Sequence, residues 1–310
     1  MMPRRAVGPG AVAICFHSGR VELARVDRVS DAQPSVALCA SLPAGPVSEA
    51  LSQLRREYGL ARSPCVTLMR AGDYQLQMME APGVPEAELR SAVRWRLKDV
   101  LDYPPDAATV DVIRVPAGPN APMRGRSVYA VAARNERIAE TMNTFSDARL
   151  SLKAIDIPEM AQRNMAALYE IPERALAMLS MNAQRGLLTF TAQAELYLAR
   201  SIDVGLSQLQ QAHAEMRDQL LDRIVLEIQR SLDHFDRQFS HLPVSKLVLA
   251  PLPEDPGLLA RLSSSLDVDV ELARLEDRID ISRVPELASP AMQADQFLTI
   301  GAALREEAVR

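Results

Sequence analysis

The sequence predicts an α/β protein made of two copies of one fold, with a small α/β subdomain inserted in the first copy. Three observations predict it. A strand–strand–strand–helix–strand order runs through residues 11–69. The same order returns through 175–251. The stretch between them, 79–150, fits neither run. The length of 310 residues suits two domains, or one large domain with an insertion.

The first run opens on AVAICF (11–16), an apolar stretch of strand length. HSG (17–19) is a turn, and RVELARV (20–26) alternates polar and apolar residues. SVALCA (35–40) is a third extended piece. PVSEALSQLRREYG (46–59) reads as a helix, with Ser48 as its cap, Leu51, Leu54 and Tyr58 as its stripe and Gly59 as its stop. CVTLM (65–69) is the fourth strand. The second run is ALAMLSM (175–181), a turn NAQRG (182–186), LLTFT (187–191) and AELYLAR (194–200). One long helix from about Leu206 to His241 follows, and then the strand KLVLAP (246–251).

No residue identity links the runs; the order of elements does. Two mixed sheets flanked by helices point to a duplicated actin-like, or ribonuclease-H-like, fold. Residues 1–78 then form the first half, completed by 151–172 and 290–310, and 173–289 form the second half. The insert, 79–150, holds a helix in EAELRSAVRWRLKDVLDYP (86–104), an extended ATVDVIRV (108–115) and a turn region (116–125). A strand SVYAVAA (127–133) and a helix over 135–149 complete it. Residues 152–169 return as strand and helix. The polar segment 273–289 reads as a surface loop. The last helix, 291–305, presents Phe297, Ile300 and Leu304 at helical spacing.

Composition narrows the function. With 48% hydrophobic and 24% charged residues the chain is an ordinary globular protein. Its net charge of −5 argues against a general nucleic-acid binder. Cys15, Cys39 and Cys65 lack CxxC spacing and sit in or beside apolar runs, as buried small hydrophobes in a reducing compartment do. The basic, apolar N-terminus is broken by Gly8, Pro9 and Gly10 and has no cleavage site, so no cleaved signal is expected. No run reaches the roughly 18 apolar residues of a membrane span. The expected place is the cytoplasm, with any membrane link made through a partner.

An actin-like ATPase needs hairpins whose backbone N–H groups wrap phosphates. It needs carboxylates near the first strands to help hold hydrated Mg²⁺, and a Gly-rich turn beneath the adenine. Here the first hairpin, ICFHSGRVEL, has no Asp, and the second, MLSMNAQRGLLTF, has no acid. The late turn, LVLAPLPEDPG, puts Ala250 and Pro251 where a Gly pair would help. His17, Ser18, Gly19, Asn182, Gln184 and Gly186 are therefore degenerate phosphate-loop positions, and plain turn chemistry explains His17, Ser18 and Gly19. No cofactor, catalytic residue or metal is expected, with ATP and Mg²⁺ as the alternative. GxxxxGK[ST], HExxH and GxSxG are absent. His213, His234 and His241 lack Cys or His partners at ligand spacing. The pairs Asp99/Asp102, Asp218/Asp222 and Asp233/Asp236 read as solvated helix faces.

Leu221, Ile224, Val225, Ile228, Leu232, Phe235 and Phe239 give the long helix an unbroken apolar stripe. In the insert helix, Leu89, Val93, Leu97, Val100 and Leu101 form the stripe. Trp95, the only Trp, stands about half a turn away. It either packs against a neighbouring element of the insert or contacts a partner, for which Trp is well suited. Glu88, Asp99 and Asp102 weigh against a membrane-surface role.

Several segments carry a family resemblance. APGVPEAELRSAVRWRLKDVLDYP (81–104), VYAVAARNERI (128–138), AIDIPEMAQRNMAALY (154–169), VLEIQRSLDHFDRQF (225–239) and TIGAALR (299–305) resemble the PilM-type actin-like proteins of type IV pilus machines. The look is nearest to the MshI branch of mannose-sensitive haemagglutinin (MSHA) pilus biogenesis. The first eighty residues fit by layout only. The resemblance implies an actin-like fold and a cytoplasmic place beneath the inner membrane. It also implies docking to the cytoplasmic tail of a bitopic PilN- or MshJ-like protein, in a groove between the first half and the insert. PilM itself binds ATP, but its phosphate-loop Asp and Gly positions are not kept here, so the nucleotide site does not carry over. The expectation is a non-catalytic scaffold. Its rivals are an active ATPase, a sugar-kinase-like enzyme, which would need a catalytic Asp, and the cytoplasmic part of a type II secretion protein. The sequence sets no oligomeric state and leaves a homo-oligomer open.

Overall fold

A computed structural model describes residues 11–17, 19–28, 33–43, 45–118 and 126–305. Strands β1 (Val12–His17), β2 (Arg20–Asp27) and β3 (Ser35–Pro43) precede helix α1 (Val47–Glu57) and strand β4 (Pro64–Leu68). Next come β5 (Tyr74–Glu80), α2 (Glu86–Arg96), β6 (Ala108–Arg114), β7 (Ser127–Arg134) and α3 (Asn135–Asp147), then β8 (Ser151–Asp156) and α4 (Pro158–Ala166). The second run is β9 (Ala175–Met181), β10 (Gly186–Ala192), β11 (Glu195–Ile202), α5 (Leu206–Gln211), α6 (Ala214–Gln238) and β12 (Val244–Leu249). Helix α7 (Leu258–Ser265), β13 (Val270–Leu272) and α8 (Pro290–Ala303) close it.

Two five-stranded sheets have the orders β3-β2-β1-β4-β8 and β11-β10-β9-β12-β13. Counted within its own run, each sheet reads 3-2-1-4-5, so the duplication expected from the sequence is present. In the second sheet β9, β10 and β11 form an antiparallel meander, while β12 runs parallel to β9 and β13 parallel to β12. Parallel neighbours need a crossover, and α5 and α6 supply it between β11 and β12. A third sheet, β5-β7-β6, is antiparallel. By compactness the described residues fall into two units. One lies within Met1–Cys15, Glu22–Ser41 and Pro158–Arg310, the other within Phe16–Val21 and Leu42–Ile157.

In the smaller unit α1 starts on Pro46, whose carbonyl accepts the Glu49 and Ala50 N–H groups. Ser48 is not the cap. It lies inside the first turn, because the fixed φ of Pro46 already sets the helix entry. Gly59, at φ +64°, stops the helix as expected. Strand β5 was not expected, and the predicted start of the insert, Met79, falls inside it. Helix α2 covers one face of the three-stranded sheet. Leu89, Val93, Leu97, Leu101 and Tyr103 pack there on Ala108, Val110, Val128, Ala130 and Ala132. After Arg96 the chain tightens into a 3₁₀ turn, Leu97–Asp99. The tighter winding turns Val100 outward, 47% exposed, so Val100 does not belong to the buried stripe.

In the larger unit the long helix is two. Ala212 and His213 are extended, which ends α5 and restarts the chain as α6. The His213 imidazole caps α6 by accepting the Met216 N–H at 3.4 Å. The α6 stripe is otherwise as predicted, except that Leu232 is only half-buried. Leu221, Ile224, Val225, Ile228, Phe235 and Phe239 are buried. Phe235 stacks on Phe190 at 4.8 Å and meets Tyr197 and Phe239 edge-on or tilted. Asp218 and Asp222 are more than a solvated face: both hold the Arg261 guanidinium of α7, at 2.7 and 2.6 Å.

Residues 273–289 run along the surface as expected, but the segment is pinned by buried apolar side chains. Leu275, Ile279 and Leu287 are fully buried. Gln293 of α8 holds the segment, accepting from Leu275 N at 3.0 Å and donating to the Leu287 carbonyl at 2.9 Å. Helices α4 and α8, which carry two of the resemblance segments, cross at contact distance. A Cβ on Gly301 would lie 2.3 Å from the Ala161 carbonyl oxygen. Asn164 Nδ2 donates to the Gly301 carbonyl at 2.8 Å. Thr299 donates to the buried Glu22 carboxylate at 2.8 Å, and Gln296 to the Ala40 carbonyl at 3.1 Å. One helix thus engages β2, β3, α4 and the 273–289 segment through side-chain hydrogen bonds.

Candidate functional site

Ser18 lies outside the described residues; His17 and Gly19 frame the first hairpin. Gly19 sits at φ +78° with open space where a Cβ would go, so the turn needs its backbone freedom and not its size. His17 ends β1. Burial first, and then the Arg70 guanidinium, push its pKa below the usual histidine value, which favours the neutral imidazole. Arg70 also lies over the Phe16 ring at 5.4 Å. Two strands away in the same sheet, β8 ends on Asp156, whose carboxylate accepts the Ile157 N–H at 2.9 Å.

The second hairpin is closed on itself. Asn182 Oδ1 accepts both the Gln184 and the Arg185 N–H, at 2.8 and 2.9 Å, and Asn182 N–H donates to the Arg185 carbonyl. The start of α5 seals the turn from outside. Leu206 N–H donates to the Asn182 carbonyl at 2.8 Å and Ser207 N–H to the Ala183 carbonyl at 3.1 Å. These first helical amides are the groups that would otherwise seek an anion. Gly205 lets the two backbones touch, since a Cβ there would lie 2.3 Å from the Gln184 carbonyl carbon. Gly186 is a packing glycine; its Cβ would meet the Met181 sulfur at 2.8 Å. Asn182, Gln184 and Gly186 thus have structural work within the hairpin. The sequence shows an Asn-led turn but not that both amides turn inward.

The Cys39 thiol is pushed up to about 12 and that of Cys65 to about 11, in both cases chiefly by burial. Neither is a reactive thiolate. Among the described residues no three His, Cys, Asp or Glu side chains cluster as a cation site. His234 is half-buried and His241 exposed.

A surface that the sequence reading missed lies on the three-stranded sheet. Its first face is under α2. On the second face Met78, Tyr129 and Ile113 stand in one row, and Leu76, Val131 and Asp111 in the next. Tyr129 is buried, whereas Leu76, Met78, Ile113 and Val131 are only half-buried. The signal was available: SVYAVAAR is apolar at consecutive positions, as a strand covered on both faces is. Trp95 lies on the outer side of α2, away from the sheet, and is 64% exposed. It is not packed against a neighbouring element of the insert.

Solved structures resemble this chain. A PilM–PilN type IV pilus biogenesis complex matches 98% of it and 99% of the other chain, at 20% identity and a TM-score of 0.76. A Bacteroides thetaiotaomicron protein with an actin-like ATPase fold covers 93% and 99%, at 8% identity and a TM-score of 0.50. The fold is actin-like. The cytoplasmic domain of EpsL, an inner-membrane component of the Vibrio cholerae type II secretion system, also matches, over 96% and 95%, at 15% identity and a TM-score of 0.50. No protein-family model and no curated protein sequence matches. Among the described residues of this actin-like chain, no helix is long and apolar enough to cross a membrane.

Proposed function

We propose that this chain is a non-catalytic scaffold of a type IV pilus assembly platform, of the MshI kind, which works in the cytoplasm beneath the inner membrane. It captures the cytoplasmic tail of a bitopic PilN- or MshJ-like protein. The observation that carries the reading is the second hairpin, whose turn amides and adjoining helix amides are bonded within the protein. A triphosphate would have to break those bonds before it could be wrapped. At the first hairpin, burial and the Arg70 guanidinium favour the uncharged His17 imidazole, and a hard cation prefers oxygen ligands to such a ring. In this reading the chain does not hold magnesium–triphosphate, and no step of the function runs through it. The likeness to a PilM–PilN complex supports a PilN-like partner.

The tail docks, in this reading, on the half-buried sheet face of Leu76, Met78, Ile113 and Val131. An extended segment laying alternate apolar side chains on that face buries them at about 25 cal/mol per Å². Affinity capture from solubilised inner membranes, followed by calorimetry with the synthetic tail of the recovered protein, tests this. A single-span pilus protein whose tail binds the wild type and not Leu76→Asp is the expected result. Recovery of soluble enzymes alone contradicts it.

A further inference from the structure

The outer side of α2 is a second exposed surface, separate from the sheet face. Trp95 is the most exposed large hydrophobic side chain among the described residues, with Val100 and Val84 also exposed nearby in the chain. Arg94, Arg96 and Lys98 surround it in sequence. Three carboxylates of this region are already engaged: Asp111 by Arg90 at 3.0 Å, Asp102 by Arg134 at 3.0 Å, and Glu86 by Arg114. Asp102 therefore does not oppose an anionic partner as its place in the sequence suggests. Among the described residues no carboxylate pairs with Arg94, Arg96 or Lys98; Arg96 reaches only the Glu80 carbonyl, at 2.8 Å. Glu80, Glu88, Asp99 and Asp106 are the carboxylates of this region left without an arginine among the described residues, and of these Glu88 and Asp99 lie on or just after α2.

We propose that this end of α2 is an interfacial anchor resting on an anionic lipid surface. Trp95 lies at the headgroup level, where an indole has one apolar body and one wet N–H. Arg96 and Lys98 extend their stems along it and their charges to lipid phosphates. A bilayer suits this site better than an acidic peptide. At 64% exposure the indole stands proud of the helix and not in a groove, and a lipid layer needs no groove walls. The anchor goes beyond the tail-docking reading and does not need it, since lipid binding requires no partner protein.

The chain's single Trp makes the test specific. The full chain is titrated with vesicles of phosphatidylcholine alone and with an equal share of phosphatidylglycerol. A blue shift of Trp emission and co-flotation with the anionic vesicles are expected, both abolished by high salt. Trp95→Ser removes flotation while leaving the far-UV spectrum unchanged. Lys98→Gln lowers partitioning about fivefold, and Glu88→Gln raises it by a similar factor. Absence of any shift with anionic vesicles overturns the proposal, and so does equal binding to both vesicle types. A shift produced by a polyglutamate peptide but not by anionic vesicles also overturns it, in favour of an acidic protein partner.

Discussion

Replacing Phe235 by alanine lowers the unfolding free energy by about 3–5 kcal/mol. The side chain is fully buried and lies against Phe190, Tyr197 and Phe239. Removing it costs the transfer energy, leaves a cavity that three rings cannot fill without leaving their rotamers, and forfeits ring–ring contacts of about 0.5–1.5 kcal/mol each. Against a total stability of about 5–15 kcal/mol, that is a large share. The exposed ion pair Arg230–Glu227, earlier on the same helix, contributes far less, about 0.3–0.5 kcal/mol. Urea unfolding followed by far-UV circular dichroism separates the two: Phe235→Ala shifts the midpoint strongly, and Arg230→Ala leaves it nearly unchanged. Equal shifts would show that packing does not hold α6.

The second large effect is at Gly301. In an exposed helix, Gly→Ala stabilises by about 1 kcal/mol through backbone entropy. Here the sign reverses. The new Cβ would stand 2.3 Å from the Ala161 carbonyl oxygen and 2.9 Å from its carbon. Those atoms are backbone in another helix, so the clash is relieved only by parting α4 from α8. Parting them also strains the Asn164–Gly301 hydrogen bond and draws Thr299 away from Glu22. Gly301→Ala is expected to destabilise by about 1–3 kcal/mol, and Gly301→Leu to abolish soluble folded protein. A more stable Gly301→Ala would mean that the helices do not cross this closely.

Much of the fold was legible because it is local. Each strand of the two meanders announces itself by apolar runs between turns, and the order of elements repeats. What stayed hidden depends on distant residues. The 273–289 segment looks polar, and the anchoring of its Leu275, Ile279 and Leu287 in the core, with Gln293 holding its backbone, shows only in three dimensions. No Gly or Pro marks the break between α5 and α6; a His imidazole and two extended residues make it. Strand β5, YQLQMME, does alternate, but its role shows only when β7 pairs with it. At the candidate site, the missing acids were readable from residue types. The closure of the second hairpin was not, because it depends on carbonyls of Asn182 and Ala183 meeting α5, more than twenty residues on.

Titration calorimetry of the purified chain with ATP and excess magnesium is the most direct test. An actin-like fold whose hairpin amides are spent on itself should give no heat of binding up to millimolar nucleotide. A saturable isotherm at micromolar concentration would show that the loops still open for a triphosphate, and the scaffold reading would have to yield to a working nucleotide switch.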